Sequence, residues 1–229
     1  MNLERTSALQ QRVETHAALA DVTRLRIVDW LTLSDLSPSE LGIALGVPSN
    51  LLAHHLKVLE RAGLVGRRRS EGDARRSYLF ATPLAVSLSV PASTVAATRV
   101  VFICTANTAR SHLAAAIWRH ASTVAAASAG THPGTEVNPM ARAAAQRRGL
   151  AFPHVRPRAL DRTRRDGDLL ITVCDRAHEE IGQQAWAHWS VPDPVPDGTR
   201  RAFDAAYAML ESRVNTLAPK IVRRPAARG

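Results

Sequence analysis

Residues 100–111, Val-Val-Phe-Ile-Cys-Thr-Ala-Asn-Thr-Ala-Arg-Ser, constrain the fold of this chain more than any other stretch. An apolar, β-branched run stops at Cys104, the five residues Thr105, Ala106, Asn107, Thr108 and Ala109 follow, and Arg110-Ser111 opens a helix-like segment. This strand–loop–helix layout is that of an oxyanion cradle. N–H groups of the loop and of the helix start converge on a tetrahedral anion, and an arginine such as Arg110 can fork two of its oxygens. The same positive surroundings lower a thiol pKa, so Cys104 is expected as a thiolate, the form that attacks phosphorus or arsenic.

A cysteine and an arginine at this spacing are a weak signal alone, because arginine is abundant here. The plain alternative makes Cys104 a small buried residue ending a core strand. Context favours chemistry. Asn107 and Ser111 can hydrogen-bond and shape the loop, Ala106 and Ala109 allow close backbone approach, and Asp193-Pro194 supplies a candidate proton donor far downstream.

After the cradle the pattern predicts a helix to about His120, a strand near 123–127 and a loop at 128–137. A helix over 139–148, a strand over 169–173, a helix near 177–184 and a last helix over about 200–216 follow. Alternating strands and helices predict a parallel sheet flanked by helices, with the cradle at the carboxyl end of its first strand, where such sheets bind ligands.

The 229 residues suit two modest domains better than one. No apolar run reaches the length of a membrane span and no signal-peptide pattern opens the chain, so a cytoplasmic location without membrane contact is expected. Cys104 and Cys174 are its two cysteines, a number that argues for chemistry rather than a disulfide scaffold. The net charge of +10 is uneven: residues 1–97 hold 11 Lys/Arg against 9 Asp/Glu, and residues 98–229 hold 19 against 11. The Arg-rich stretch 142–165 reads first as a solvated surface, with attraction for oxyanions or DNA as the sharper reading.

The first half predicts helices over about 9–19 and 21–33, the second capped by Asp21. Ser37-Pro-Ser-Glu40 starts a short helix that closes at Gly46, and Pro48-Ser-Asn50 starts one that stops at Gly63. Short helix, tight turn and amphipathic helix make a helix-turn-helix. Strand-like runs at 64–69 and 77–81 then form a hairpin wing carrying Arg67, Arg68, Arg69, Arg75 and Arg76. Arginines so placed suit DNA phosphates or the minor groove, a charged edge hairpin being the plain alternative. Pro83 and Pro91 mark residues 84–97 as a linker or a truncated helix, with residual helix around 84–90. The domains expected are therefore 1–83, 98–220 and a basic, disordered tail over 221–229.

Residues 10–82 resemble the ArsR/SmtB winged helix-turn-helix repressors. The resemblance is carried by Ala18-Leu-Ala-Asp-Val-Thr-Arg-Leu-Arg-Ile27 and His54-His-Leu-Lys-Val-Leu-Glu-Arg-Ala-Gly-Leu-Val65. It implies a mainly α domain with a β-hairpin wing that binds an operator in double-stranded DNA as a homodimer. Ser49, Asn50, His54 and Lys57 would lie on or beside the recognition helix. His54 and His55 as metal ligands are disfavoured against DNA and core contact, and no metal site is expected. Residues 36–45 lack the paired cysteines of arsenic-sensing members.

Residues 98–220 resemble the low-molecular-weight tyrosine phosphatases, in particular their thiol-dependent arsenate reductase branch. The matching pieces are Cys104 to Ser111, Ser128-Ala-Gly-Thr131, Val137-Asn-Pro139, Thr172-Val-Cys-Asp175 and Trp189-Ser-Val-Pro-Asp-Pro194. The resemblance implies Cys104 as nucleophile, Arg110 as anion clamp, Asp193 as general acid and Cys174 as resolving thiol, with Ser128 and Asn107 shaping the loop. Cys174, and Val195 where phosphatases commonly carry tyrosine, favour the reductase branch acting on arsenate over phosphate. Thioredoxin-coupled relatives carry a third cysteine about where Ile181 stands, and their second cradle cysteine is here Ala109. No bound cofactor is expected; thioredoxin or a small thiol would supply electrons. Two other readings stay open: a phosphatase-like domain that senses an oxyanion without turnover, and a protein-tyrosine phosphatase tethered to DNA.

Overall fold

The computed structural model describes residues 2–89, 94–152 and 155–224. It divides into two compact units, with Met1–Arg69 and Arg75–Pro91 in the first and Ser70–Ala74 and Ala92–Gly229 in the second. Among the described residues no helix is long and apolar enough to cross a membrane.

The first unit is helical with one hairpin. Its helices are α1 (Asn2–Leu19), α2 (Val22–Leu33), α3 (Pro38–Leu45) and α4 (Ser49–Arg61), followed by β1 (Val65–Arg69), β2 (Ser77–Ala81) and α5 (Pro83–Leu88). Local chemistry sets the boundaries. The Asp21 side chain accepts from Arg24 N at 2.9 Å, satisfying an otherwise open amide of α2. Ser37 and Glu40 form a reciprocal capping box on α3, which Gly46 closes at φ 65°, a left-handed conformation that costs glycine little. Ile27, Leu31, Leu41, Leu59, Leu64 and Leu79 meet in one core. Leu36 bridges Leu79 through paired backbone bonds of 3.2 and 2.8 Å, pinning the wing beneath the helices. The first helix starts earlier than its periodicity predicts.

In the second unit the four-stranded sheet runs β5-β4-β6-β7, all parallel. Its strands are β4 (Arg99–Cys104), β5 (Ala125–Gly130), β6 (Asp168–Thr172) and β7 (Ala187–His188). Val100 to Cys104 are buried on both faces, as a central parallel strand requires. Helix α6 (Arg110–Ala121) packs on β4 and β5, with α7 (Pro139–Gln146) and α10 (Arg200–Leu217) against it, while α9 (Asp175–Ile181) packs on β4 and β6. The short α8 (Leu160–Thr163) lies against β5.

Two expectations need correction. In the segment 84–97 the truncated-helix alternative holds at α5 (Pro83–Leu88), and the linker reading fails at 95–97. Pro83 takes the first position of α5, where its missing N–H is harmless, beneath a Thr82 cap. Val95–Ala97 form β3, which pairs in parallel with β8 (Ile221–Arg223). The tail expectation therefore fails for 221–223, because β-branched Ile221 and Val222 complete a ladder and Ile221 is buried. Pro91 and residues 225–229 lie outside the described residues.

Candidate active site

Cys104 closes β4 and Arg110 opens α6, so sheet and helix hold the two ends of the cradle loop rigidly. The loop is shaped from outside. Carbonyls of Cys104, Thr105, Ala106 and Thr108 accept from the amides of Thr131, His132, Gly134 and Asn138 at 3.2, 2.9, 2.9 and 2.9 Å. A trans peptide directs its N–H opposite to its C=O, so tying the carbonyls outward turns amides toward the cavity that Cys104 and Arg110 line. Gly130 makes the close approach possible: a Cβ there would meet Thr105 O at 2.7 Å and Asn107 Cβ at 2.9 Å.

Asn107 sits at φ 50°, a left-handed conformation that asparagine tolerates better than most residues. Its side chain is fully engaged inside the protein. Nδ2 donates to Ser111 Oγ at 2.8 Å, and Oδ1 accepts from Arg158 N at 2.9 Å. Ser111 Oγ in turn lies 3.1 Å from Cys104 Sγ. Ser128 lies against the residue that follows Ser111: its Oγ meets His112 Nδ1 at 3.2 Å.

Arg110 is buried, with Nη1 donating to Val191 O at 2.9 Å and Nη2 paired with Asp193 Oδ2 at 2.9 Å. Burial works against its charge, but Cys174, Asp193 and Cys104 around it hold its pKa above the ordinary value. Cys174 ends the segment after β6 and reaches the same cavity as Cys104, Arg110 and Asp193. Its Sγ accepts from Thr105 N at 3.2 Å and lies 3.4 Å from Thr105 Oγ1. Burial, reinforced by Cys104, pushes its pKa up to about 11. Both cysteines are buried free thiols.

A further cluster escaped the sequence. His178 and His188 stack at 4.2 Å between ring centroids, His188 Nε2 meets Asp175 Oδ1 at 3.1 Å, and Thr172 Oγ1 lies 3.0 Å from His188 Nδ1. This buried network orients Asp175, the neighbour of Cys174. His188 lies on a two-residue strand that carries no periodic signal; Asp175 inside Thr172-Val-Cys-Asp175 was the one hint.

In the first unit Ser49, Asn50, His54 and Lys57 are exposed along α4, whereas His55 is buried with Nδ1 3.7 Å from Asp21 Oδ1. Adjacent histidines thus divide between surface and core, and no cluster of metal-ligating residues occurs among the described residues. The wing arginines are not equivalent. Arg67 pairs with Glu60 at 3.2 Å, and Arg68 lies over Phe80 at 5.2 Å, while Arg69, Arg75 and Arg76 are exposed.

Sheet order and cradle together define a phosphatase-type α/β unit with a cysteine at the base of an anion-binding loop. The chain belongs to the low molecular weight phosphotyrosine protein phosphatase family, whose pattern covers residues 99–227. Residues 19–68 match the helix-turn-helix domain family, so the chain fuses a helix-turn-helix unit to a phosphatase-family domain. Among solved structures it is similar to an arsenate reductase from Archaeoglobus fulgidus, with 26% identity, TM-score 0.45, and 52% of this chain and 98% of that one covered. It is also similar to the YwlE arginine phosphatase from Geobacillus stearothermophilus, with 22% identity, TM-score 0.48, and coverage of 54% and 92%. The tyrosine phosphatase Wzb from Escherichia coli K30, in complex with sulphate, has 23% identity, TM-score 0.47, and coverage of 54% and 98%. A comparison with curated proteins finds no match.

Proposed function

We propose that this chain is an ArsR-type transcriptional regulator fused to a thiol-dependent arsenate reductase. The observation that carries the reading is the second thiol in the cradle, Cys174 Sγ at 3.2 Å from Thr105 N. In the first step Cys104 thiolate attacks arsenate held by Arg110 and loop amides. An S–As bond forms, an As–O bond breaks, and Asp193 protonates the departing oxygen, which leaves as water. An oxyanion that takes Nη2 of Arg110 displaces Asp193 from it, and a carboxyl beside an anion holds its proton more readily.

In the second step Cys174 gives its proton to an arsenic-bound oxygen and attacks Cys104 Sγ. The S–S bond forms, the S–As electron pair stays on arsenic, and arsenite departs. Electrostatics order the two steps. Cys104 is one of the causes raising the pKa of Cys174, so converting Cys104 to a thioester of arsenic removes a like charge and makes Cys174 more acidic. Thioredoxin or a small thiol then reduces the disulfide, because the chain has no third cysteine.

The first unit would bind an operator in double-stranded DNA through α4 and the wing. Two copies would meet half-sites about one helical turn apart. Exposed Leu9 and Val13 on α1 support pairing through that helix. The family to which the chain belongs also favours phosphate monoester hydrolysis at the same cradle as a second reading.

Intact mass of the reduced protein after arsenate, without added thiol, tests the proposal. Loss of two hydrogens that requires both Cys104 and Cys174, with arsenite released, is expected. Unchanged mass without arsenite, together with hydrolysis of p-nitrophenyl phosphate, would replace the reductase by a phosphatase. Neither activity would leave an oxyanion sensor.

A further inference from the structure

The second unit holds another cavity, of about 250 Å³, between the free edge of β5, α6 and the segment 155–165. Arg99, which opens the strand that Cys104 closes, lies at one side of it. Seven of its lining residues are arginines and none is Asp or Glu. Three of these arginines are already engaged: Arg99 with Asp168, Arg164 with Gln184 at 2.7 Å, and Arg119 with Ala126 O at 3.5 Å. The side chains of Arg156, Arg158, Arg162 and Arg165 make no hydrogen bond or ion pair among the described residues. These four residues are exposed at the rim, and seven arginines without an Asp or Glu give the cavity a positive potential that favours an anion.

Two more observations point to a ligand rather than a solvated surface. His112 lines the cavity, is 6% exposed, and its Nε2 is buried without a hydrogen-bond partner among the described residues. The Arg-rich segment is also held in place. Gly130 N donates to Arg158 O at 2.8 Å, Gly130 bridges Ala159, and Arg158 N donates to Asn107 Oδ1.

We infer that this cavity is a second anion site, separate from the cradle, for a small molecule carrying two or more adjacent phosphoryl groups. Planar guanidinium forks match phosphoryl oxygens bidentately, and several arginines suit several such groups. The volume admits a short polyphosphate or phosphorylated sugar and excludes a folded partner. The Arg158–Asn107 bond joins the site to the residue that shapes the cradle loop, so occupancy would stiffen that loop.

Calorimetric titration of the full chain with inorganic pyrophosphate tests this. Arg156→Gln/Arg162→Gln, two exposed positions outside the cradle, should weaken binding at least tenfold without changing the melting temperature of the unliganded protein. Arg110→Ala should leave this binding event within twofold of the parent while removing monophosphate binding at the cradle. Equal pyrophosphate affinity in the double variant, or loss in Arg110→Ala alone, would overturn the inference. Absence of pyrophosphate binding alongside charge-dependent capture of duplex DNA by the same arginines would overturn it too.

Discussion

The sulfur of Cys174 lies 3.2 Å from the backbone nitrogen of Thr105, the residue directly after Cys104. A thiol from the end of one strand thus occupies the amide fringe of a loop that starts from the neighbouring strand. The parallel pairing of β4 with β6, which sets Ile103 opposite Thr172, brings them together.

Cys174→Ser should separate the two proposed steps. Any hydrolysis of p-nitrophenyl phosphate, for which the proposal assigns Cys104, Arg110 and Asp193, should persist within a few-fold. Arsenite release in a single turnover without added thiol should vanish. Parallel loss of both activities would mean that Cys174 is structural.

The pKa of Cys174, raised from 9.0 to about 11, carries a pH dependence of stability. A group whose neutral form the fold favours contributes stability that is full below its unfolded pKa and fades as pH rises through its folded one. Chemical denaturation should therefore show stability falling between about pH 9 and 11, less steeply in Cys174→Ser. Alkylation of Cys174 should quicken over the same range, and at lower pH in Cys104→Ser, where the like charge is gone.

His112 behaves in the opposite sense. Burial, with Arg119 and Arg142 nearby, lowers its pKa from 6.5 to about 4. The neutral imidazole is favoured, so its contribution is full above pH 6.5 and is lost as pH falls through 4. The loss is on the order of 3 kcal/mol, since one pKa unit corresponds to about 1.4 kcal/mol. Denaturant midpoints of the parent and His112→Gln should converge as pH drops across that window.

Gly130→Ala tests the geometry of the cradle without touching its chemistry. The added Cβ would press on Thr105 O and Asn107 Cβ, which are backbone and near-backbone atoms that cannot swing away. Monophosphate affinity should fall at least tenfold while far-ultraviolet circular dichroism stays unchanged. Unaltered affinity would show that the loop has slack.

Lys57, exposed on α4, should act through charge alone. Lys57→Ala is expected to weaken DNA binding evenly across sequences and to lower the slope of log affinity against log salt by about one. Fluorescence anisotropy at several salt concentrations would show this. An unchanged slope would remove Lys57 from the interface.

Much of the helix-turn-helix was readable because its signals are local. Asp21, Ser37 and Gly46 each act within three or four residues, and the structure uses each at the expected helix end. Cys104, Asn107 and Arg110 were readable for the same reason, since strand end, loop and helix start are contiguous. Even there, the sequence offered Ser128 only as a loop-shaping residue, and its route through His112 needed the packed structure.

Chain order, helix caps and the run from Val100 to Ser111 alone determined two units, a helix-turn-helix and a strand-ended cysteine facing an arginine. Tertiary structure decided what distance along the chain conceals. It paired three-residue strands 126 positions apart at Val95 and Ile221, stacked His178 on His188, and gathered arginines from β4, α6 and 156–165 around one cavity. Strands of two or three residues show no period, and like charges meet only after distant segments have been packed together. Propensity and spacing therefore foresee local geometry, while long-range sheet pairing selects which side chains share a site.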